Sequence, residues 1–159
     1  MLSYQAQAVK DWLLAYRAAE EEINVRFEKI RILETRIKTA GAVEISDMPK
    51  AHGSSADKLT EYLIRKEQLS EECSKLLMQH EKDKEAVVSL FCYLTPVQRK
   101  IIYYKYFVGL EWADIYEHIF YVHVDRNTTE GNTMRKRASR LHDSALETLA
   151  VNWASKKSS

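Results

Sequence analysis

The chain has 159 residues and a formal net charge of +1; 30% of its residues are charged and 45% are hydrophobic. It contains only four glycines and two prolines, which argues against strand-and-turn architectures and predicts an all-α fold. Charge is distributed unevenly, because residues 1–94 hold 14 basic and 16 acidic side chains whereas residues 95–159 hold 10 and 7. We therefore expect any surface for a polyanion in the C-terminal third.

The first predicted helix covers residues 4–39, a stretch without glycine or proline. Its apolar stripe consists of residues seven apart, with three more that widen it: Val9, Tyr16, Ile23, Ile30 and Ile37, then Leu13, Phe27 and Leu33. A seven-residue repeat keeps one seam facing a partner helix, as in coiled coils. The sequence therefore predicts a long helix that pairs with another.

Residues 40–55 are predicted to form a loop, because they combine glycine, proline and capping residues. A second long helix is predicted for residues 56–93. Its helically spaced positions are Leu59, Leu63, Leu69, Cys73, Leu76, His80, Val87 and Leu90. Two long helices joined by one loop form an antiparallel hairpin, so residues 1–93 are predicted to be a coiled-coil-like hairpin domain. The pattern leaves open whether the seam closes within one chain or recruits a second copy to form a homodimer.

A second domain is predicted for residues 94–150. Thr95 is expected to cap a helix that has Pro96 in its first turn and continues to about residue 107. After a break at residues 108–110, another helix is expected from Glu111, and a polar tract precedes the last helix. That helix carries Met134, Ala138, Leu141, Ala145 and Leu149 on one face. Residues 151–159 are predicted to be a frayed polar tail.

No common catalytic motif occurs in the chain, neither GxxxxGK[ST] nor GxSxG, HExxH or CxxC. His118 and His123 are five residues apart and would point in different directions on a helix, so they do not form a metal pair. We expect neither an enzyme nor a cofactor or metal site. No apolar run reaches the roughly 18 residues of a membrane span, and two cysteines suit a reducing compartment. The expectation is a soluble, cytoplasmic protein.

Two short helices separated by a polar turn, the second rich in Arg and Lys, have the form of a helix-turn-helix. On the second helix the apolar side chains cluster on one face, which leaves polar ones outward. The candidate DNA-binding residues are Thr128, Thr129, Asn132, Thr133, Arg135, Lys136, Ser139 and Arg140. Asn and Arg suit base edges, whereas Lys and Thr suit phosphates. Arg137 lies nearer the core side, where an acidic residue of a neighbouring helix is its candidate partner. A basic surface helix at the end of a bundle explains the spacing equally well.

The run LTPVQRKIIYYKYFVGLEWADIYEHI resembles region 4 of sigma-70-type factors. The residues that carry this resemblance are Leu94, Pro96, Arg99, Tyr106, Gly109, Leu110, Ile115 and Ile119. The run TMRKRASRLHDSALETL resembles the recognition helix of those factors, with Thr133, Met134 and Arg135 where a Thr-Val-Lys step is usual. The stretch ISDMPKAHGSSADKL is similar to phage-encoded sigma-like proteins of the ArpU and RinA type, which regulate late phage genes in Gram-positive hosts. The resemblance spans most of residues 23–150.

One departure from the sigma pattern is the length of the segment between Ile119 and Thr133, which has several additional residues. Either the preceding helix extends to about Val124 with a turn at residues 125–128, or a longer wing-like loop replaces the turn. The run IFYVHV is also compatible with a short strand.

The resemblance implies a phage or prophage transcriptional regulator that binds double-stranded DNA. Its long hairpin would dimerise or dock on host RNA polymerase or another protein. Two alternatives stay open: a DNA-packaging protein similar to a terminase small subunit, and a helical protein-interaction module that does not bind DNA.

Overall fold

The computed structural model describes residues 1–44, 54–121 and 127–157, without the side chains of residues 42–44, 54–55 and 157. Its α-helices are α1 (Tyr4–Glu44), α2 (Ser54–Val88), α3 (Pro96–Ile102), α4 (Trp112–Phe120) and α5 (Thr129–Lys157). A 3₁₀ turn follows α2 at Phe91–Tyr93, and α3 continues directly into a π-helical segment, Tyr103–Val108. These described residues contain no strand. The predicted all-α class is confirmed.

The chain divides into two compact units. The terminal unit comprises Met1–Ala18 and Asp83–Ser159, and the central unit comprises Ala19–Lys82. This division differs from the predicted boundary between residues 93 and 94, because the first turns of α1 and the end of α2 pack with the C-terminal helices. Their shared core consists of Ala6, Val9, Leu13, Val87, Leu90, Leu94, Ile102, Tyr106, Ala145, Leu146, Leu149 and Ala150.

The N-terminus of α1 is held directly by α5. The backbone N–H and the hydroxyl of Ser3 donate hydrogen bonds of 2.6 and 2.7 Å to the two carboxylate oxygens of Glu147. The Ser3 hydroxyl oxygen also accepts a hydrogen bond of 3.1 Å from the N–H of Ala6, as an N-cap residue does. These two bonds from Ser3 lower the pKa of the Glu147 carboxyl, so the contact is stronger when Glu147 is ionised.

The prediction of a frayed polar tail is wrong for residues 151–157. Residues 151–157 continue α5, which ends at Lys157. Trp153 packs against the core of the terminal unit and its ring lies 4.9 Å from that of Trp12, edge to face. Burial of this indole favours continued helix over fraying, a contribution that the polar composition of the tail does not reveal. Residues 158–159 lie outside the described part.

In the central unit, α1 and α2 run antiparallel. Arg26 contacts Glu72 at 3.8 Å and Lys66 contacts Glu34 at 3.3 Å, so partner numbers fall as α1 proceeds. Two residues assigned to the apolar stripes are exposed instead, Phe27 at 44% and Leu63 at 49%. At 100° per residue Phe27 lies about 40° from the buried Ile23 and Leu63 about 80° from the buried Cys73, which places both at the stripe edges.

Several predicted helix ends also move. The first helix continues through Glu44 rather than ending near residue 39. The second ends at Val88 and is followed by the 3₁₀ turn, rather than continuing to residue 93. Residues 45–53, most of the predicted loop, lie outside the described part.

The start of α3 confirms the predicted cap. The Thr95 hydroxyl oxygen accepts a hydrogen bond of 3.3 Å from the backbone N–H of Gln98, and the Gln98 amide oxygen accepts one of 2.9 Å from the N–H of Thr95. Pro96 occupies the first turn. The Gln98 amide also donates a hydrogen bond of 3.0 Å to the Ser144 hydroxyl on α5. The capping box therefore positions α3 against α5 as well as starting the helix.

Gly109 ends the π-helical segment in a left-handed conformation, with φ of 80°. Its N–H and that of Leu110 both donate hydrogen bonds of 2.9 Å to the carbonyl of Tyr104. A β-carbon at this position would overlap the guanidinium of Arg17 on α1. Only glycine meets both requirements without strain.

We expect Gly109→Ala to lower the free energy of unfolding by about 1–3 kcal/mol, because alanine is strained at positive φ. Urea denaturation followed by tryptophan fluorescence measures this loss. The Arg17→Ala background removes the overlap but keeps the strain, so most of the loss should persist there. Full recovery in that background would show that overlap, rather than φ, makes glycine necessary.

Candidate nucleic-acid interface

The N-terminal half of α5 has one buried and one exposed face. Gly131, Ala138, His142 and Ala145 are buried, and Met134 and Leu141 are half-buried. Every predicted DNA-binding residue is exposed: Thr128, Thr129, Asn132, Thr133, Arg135, Lys136, Ser139 and Arg140. At 100° per residue these eight span about 160° of the helix surface. The structure therefore brings them together on one continuous face.

The start of α5 is ordered by two threonines. The Thr128 hydroxyl oxygen accepts a hydrogen bond of 3.0 Å from the N–H of Gly131, and its carbonyl accepts one of 3.0 Å from the N–H of Asn132. The Thr133 hydroxyl donates a hydrogen bond of 3.0 Å to the carbonyl of Thr129. Thr128 therefore acts as the N-cap of α5, and the Thr133 hydroxyl proton is engaged within the helix.

The cations of this face differ in how they are held. Arg135 donates a hydrogen bond of 2.9 Å from its guanidinium to the amide oxygen of Asn132. No described residue forms a hydrogen bond or an ion pair with the side chain of Lys136 or Arg140, and both side chains are exposed. Residues 128–140 contain four cationic side chains and one acidic one, Glu130. The exposed face therefore concentrates positive charge that the whole chain, at +1, lacks.

Arg137 lies in a different environment from the one predicted for it. It is exposed, and its guanidinium carbon lies 5.9 Å from the centre of the Phe120 ring on α4, in cation–π geometry. An aromatic ring, rather than the expected acidic side chain, is its partner. The exposure of Arg137 could have been predicted from a helical projection, because Arg135 and Arg137 lie about 100° to either side of Lys136.

The buried face of α5 is anchored by a polar contact with the π-helical segment. The Tyr106 hydroxyl lies 2.9 Å from Nε2 of His142, whose Nδ1 lies 3.2 Å from a carboxylate oxygen of Asp143. Because the carboxylate can only accept, Nδ1 carries the proton and Tyr106 donates to Nε2. Trp112 of α4 packs edge-on against the His142 ring at 5.2 Å. This contact joins three helical segments behind the exposed face.

Burial lowers the pKa of His142, with Lys10 and Lys105 adding to the effect and Asp143 opposing it. The unfolded state therefore binds a proton more readily than the folded state as pH falls below about 6.5. We expect full stability above this pH and a progressive loss below it, down to the lowered pKa. Urea midpoints measured between pH 8 and pH 5 test this, and His142→Gln should flatten the dependence in that range.

The end of α4 bears on one of the two predicted arrangements. The helix α4 ends at Phe120, because Tyr121 adopts a left-handed conformation with φ of 56° and its N–H bonds to the carbonyl of Glu117 at 2.8 Å. Extension of this helix to about Val124 is therefore wrong. Residues 122–126, which include His123 and most of the proposed strand, lie outside the described part.

No family model, curated protein or solved structure matches this chain. Among the described residues, no helix combines the length and apolar character needed to cross a membrane.

Proposed function

We propose that the protein is a sequence-specific transcriptional regulator that binds double-stranded DNA through α4 and α5, arranged as a sigma region-4-like helix-turn-helix. The observation that carries this proposal is the exposed face of α5, where all eight candidate residues lie together opposite the buried face. A recognition helix needs this arrangement, because one side must pack on its own domain while the other enters the major groove. The phage or prophage origin rests on the resemblance of residues 23–150.

The side chains on this face suit both kinds of DNA contact. Asn132 and Arg135 have the amide and guanidinium groups that pair with adenine and guanine edges in the major groove. Lys136 and the Thr129 hydroxyl suit phosphates, which position a protein without reading sequence. Residues near the start of a recognition helix contact the base edges, and Asn132 lies in the first turn of α5.

A single helix with three or four cations binds DNA weakly, so we propose that two copies act together on two half-sites. The central unit supplies a surface for this pairing. Val25 and Ile32 are exposed apolar residues seven apart on one face of α1. The proposed partner on this surface is a second copy of the chain. The alternative role of this surface is contact with host RNA polymerase.

Binding to duplex DNA across a range of salt concentrations tests the proposal. Three exposed cations of this face, Arg135, Lys136 and Arg140, predict a slope of log K against log salt with a magnitude of at least about 2.7 per chain, because each neutralised phosphate contributes about −0.9. Random-sequence duplexes should bind with this salt dependence. An absence of binding at low salt would instead favour the protein-interaction module.

The oligomeric state, measured by sedimentation, distinguishes a transcriptional regulator from a packaging protein. A dimer is expected, and Val25→Glu with Ile32→Glu should convert it to monomers, because charge replaces apolar contact on one face of α1. Rings of eight or more chains would favour a packaging protein similar to a terminase small subunit.

A further inference from the structure

At the end of α4, two consecutive aromatic rings each contact a cation. The guanidinium carbon of Arg137, on α5, lies 5.9 Å from the centre of the Phe120 ring. The ammonium nitrogen of Lys100, on α3, lies 5.5 Å from the centre of the Tyr121 ring and donates a hydrogen bond of 3.0 Å to the Tyr121 hydroxyl. Adjacent Cα atoms are about 3.8 Å apart. Two consecutive residues of the chain therefore each contact a cation, one from α3 and one from α5.

The conformation of Tyr121 is unusual for a residue with a side chain. Left-handed geometry costs a non-glycine residue about 1–2 kcal/mol, and such strain is concentrated at functional positions. Tyr121 is 80% exposed, so burial of its ring does not explain the strain. Its hydroxyl raises the pKa of the Lys100 ammonium, which keeps that group charged.

Both cations retain hydrogen-bonding capacity. An ammonium group has three donors, of which Tyr121 takes one. A guanidinium has five N–H donors, more than a single ring contact can occupy. The Glu117 carboxylate lies on the same surface as Lys100, where it opposes the binding of an anion.

We propose that Lys100 and Arg137 form a phosphate-binding edge that contacts the backbone of one DNA strand beside the base-facing surface of α5. This inference rests on the proposed function. Arg137 lies about 40° beyond Thr133, at the edge of the face that carries the candidate residues, so it points toward a groove wall when Asn132 faces the bases. A helix about 10–12 Å wide fills a major groove about 12 Å wide, which brings its flanks against the phosphates.

The test is the salt dependence of binding to a random-sequence duplex of about 20 base pairs, two helical turns. Lys100→Gln and Arg137→Gln should each reduce the magnitude of the slope by about 0.9 and weaken binding roughly tenfold at 0.1 M salt. The loss should be equal on every DNA sequence, because phosphates carry no sequence information. Glu117→Gln should strengthen binding.

Matched variants complete the design. Lys58→Gln, which changes an exposed lysine of the central unit, should leave the slope unchanged. Lys100→Arg and Arg137→Lys retain the cation and should retain the slope, which separates loss of charge from loss of folding. If the wild-type chain binds no duplex at low salt, the proposed function fails. If it binds and depends on Lys136 and Arg140, but the Gln variants keep its slope, only the phosphate-binding edge is overturned.

Discussion

Replacement of both Lys136 and Arg140 by glutamate should reduce the affinity for duplex DNA by roughly 30-fold to 10⁴-fold, since each contact of this kind contributes about 1–3 kcal/mol. Both side chains are exposed on the outward face of α5, Lys136 near its middle and Arg140 toward one edge. The substitutions remove two attractions for phosphate or base edges and add two repulsions. Electrophoretic mobility shift or fluorescence anisotropy at low salt measures the loss.

The matched control is Lys29→Glu with Lys58→Glu, which changes net charge by the same amount at exposed positions of the central unit. This control should bind with an affinity close to that of the wild type, apart from a small general effect of net charge. Circular dichroism should show the same helix content in both double variants. Equal losses in the two would show that net charge, rather than the face of α5, determines binding, and unchanged affinity in the first would remove the site assignment.

The second large effect is expected in the core of the terminal unit. Leu13→Ala should lower the free energy of unfolding by about 2–5 kcal/mol, because it removes buried methyl groups and leaves a cavity. Leu13 is fully buried in a cluster that includes Leu146 and Leu149 of α5. All three tryptophans of the chain, Trp12, Trp112 and Trp153, belong to the terminal unit. Tryptophan fluorescence during urea denaturation therefore reports on this unit.

The adjacent leucine provides the control, because Leu14 is 47% exposed. Leu14→Ala removes the same atoms from an exposed position about 100° away around α1 and should change stability by less than about 1 kcal/mol. A small effect of Leu13→Ala would contradict the assignment of the first turns of α1 to the terminal unit. It would restore the predicted boundary at residue 93.

Local patterns predicted several features well because the interactions behind them span only a few residues. The cap at Thr95 depends on Gln98, three positions later, and a left-handed Gly109 ends the segment that precedes α4. The outward face of α5 likewise follows from spacing, since a helix separates polar from apolar side chains every three or four residues. Phe27 and Leu63 were misassigned because they lie at stripe edges, where the width of the packing partner decides burial.

The eight candidate residues of α5 were chosen from the sequence, whereas the phosphate-binding edge that we propose for Arg137 and Lys100 was not. Both depend on aromatic rings of the α4 end, and the position of these rings follows from the left-handed Tyr121. No spacing rule predicts that a tyrosine will adopt this conformation, because it is unfavourable in isolation. In the structure, the Tyr121 N–H bonds to the carbonyl of Glu117, and its hydroxyl accepts a hydrogen bond from Lys100.

The sequence by itself determined the all-α class, the approximate helix positions, and the polar, cationic face near residues 128–140. Only the tertiary structure decided which segments share a core, that residues 151–157 extend α5, and where α4 ends. An amphipathic pattern identifies the face that a helix buries, but not the helix that covers it, because that partner can be more than a hundred residues away, as Ser3 and Glu147 are.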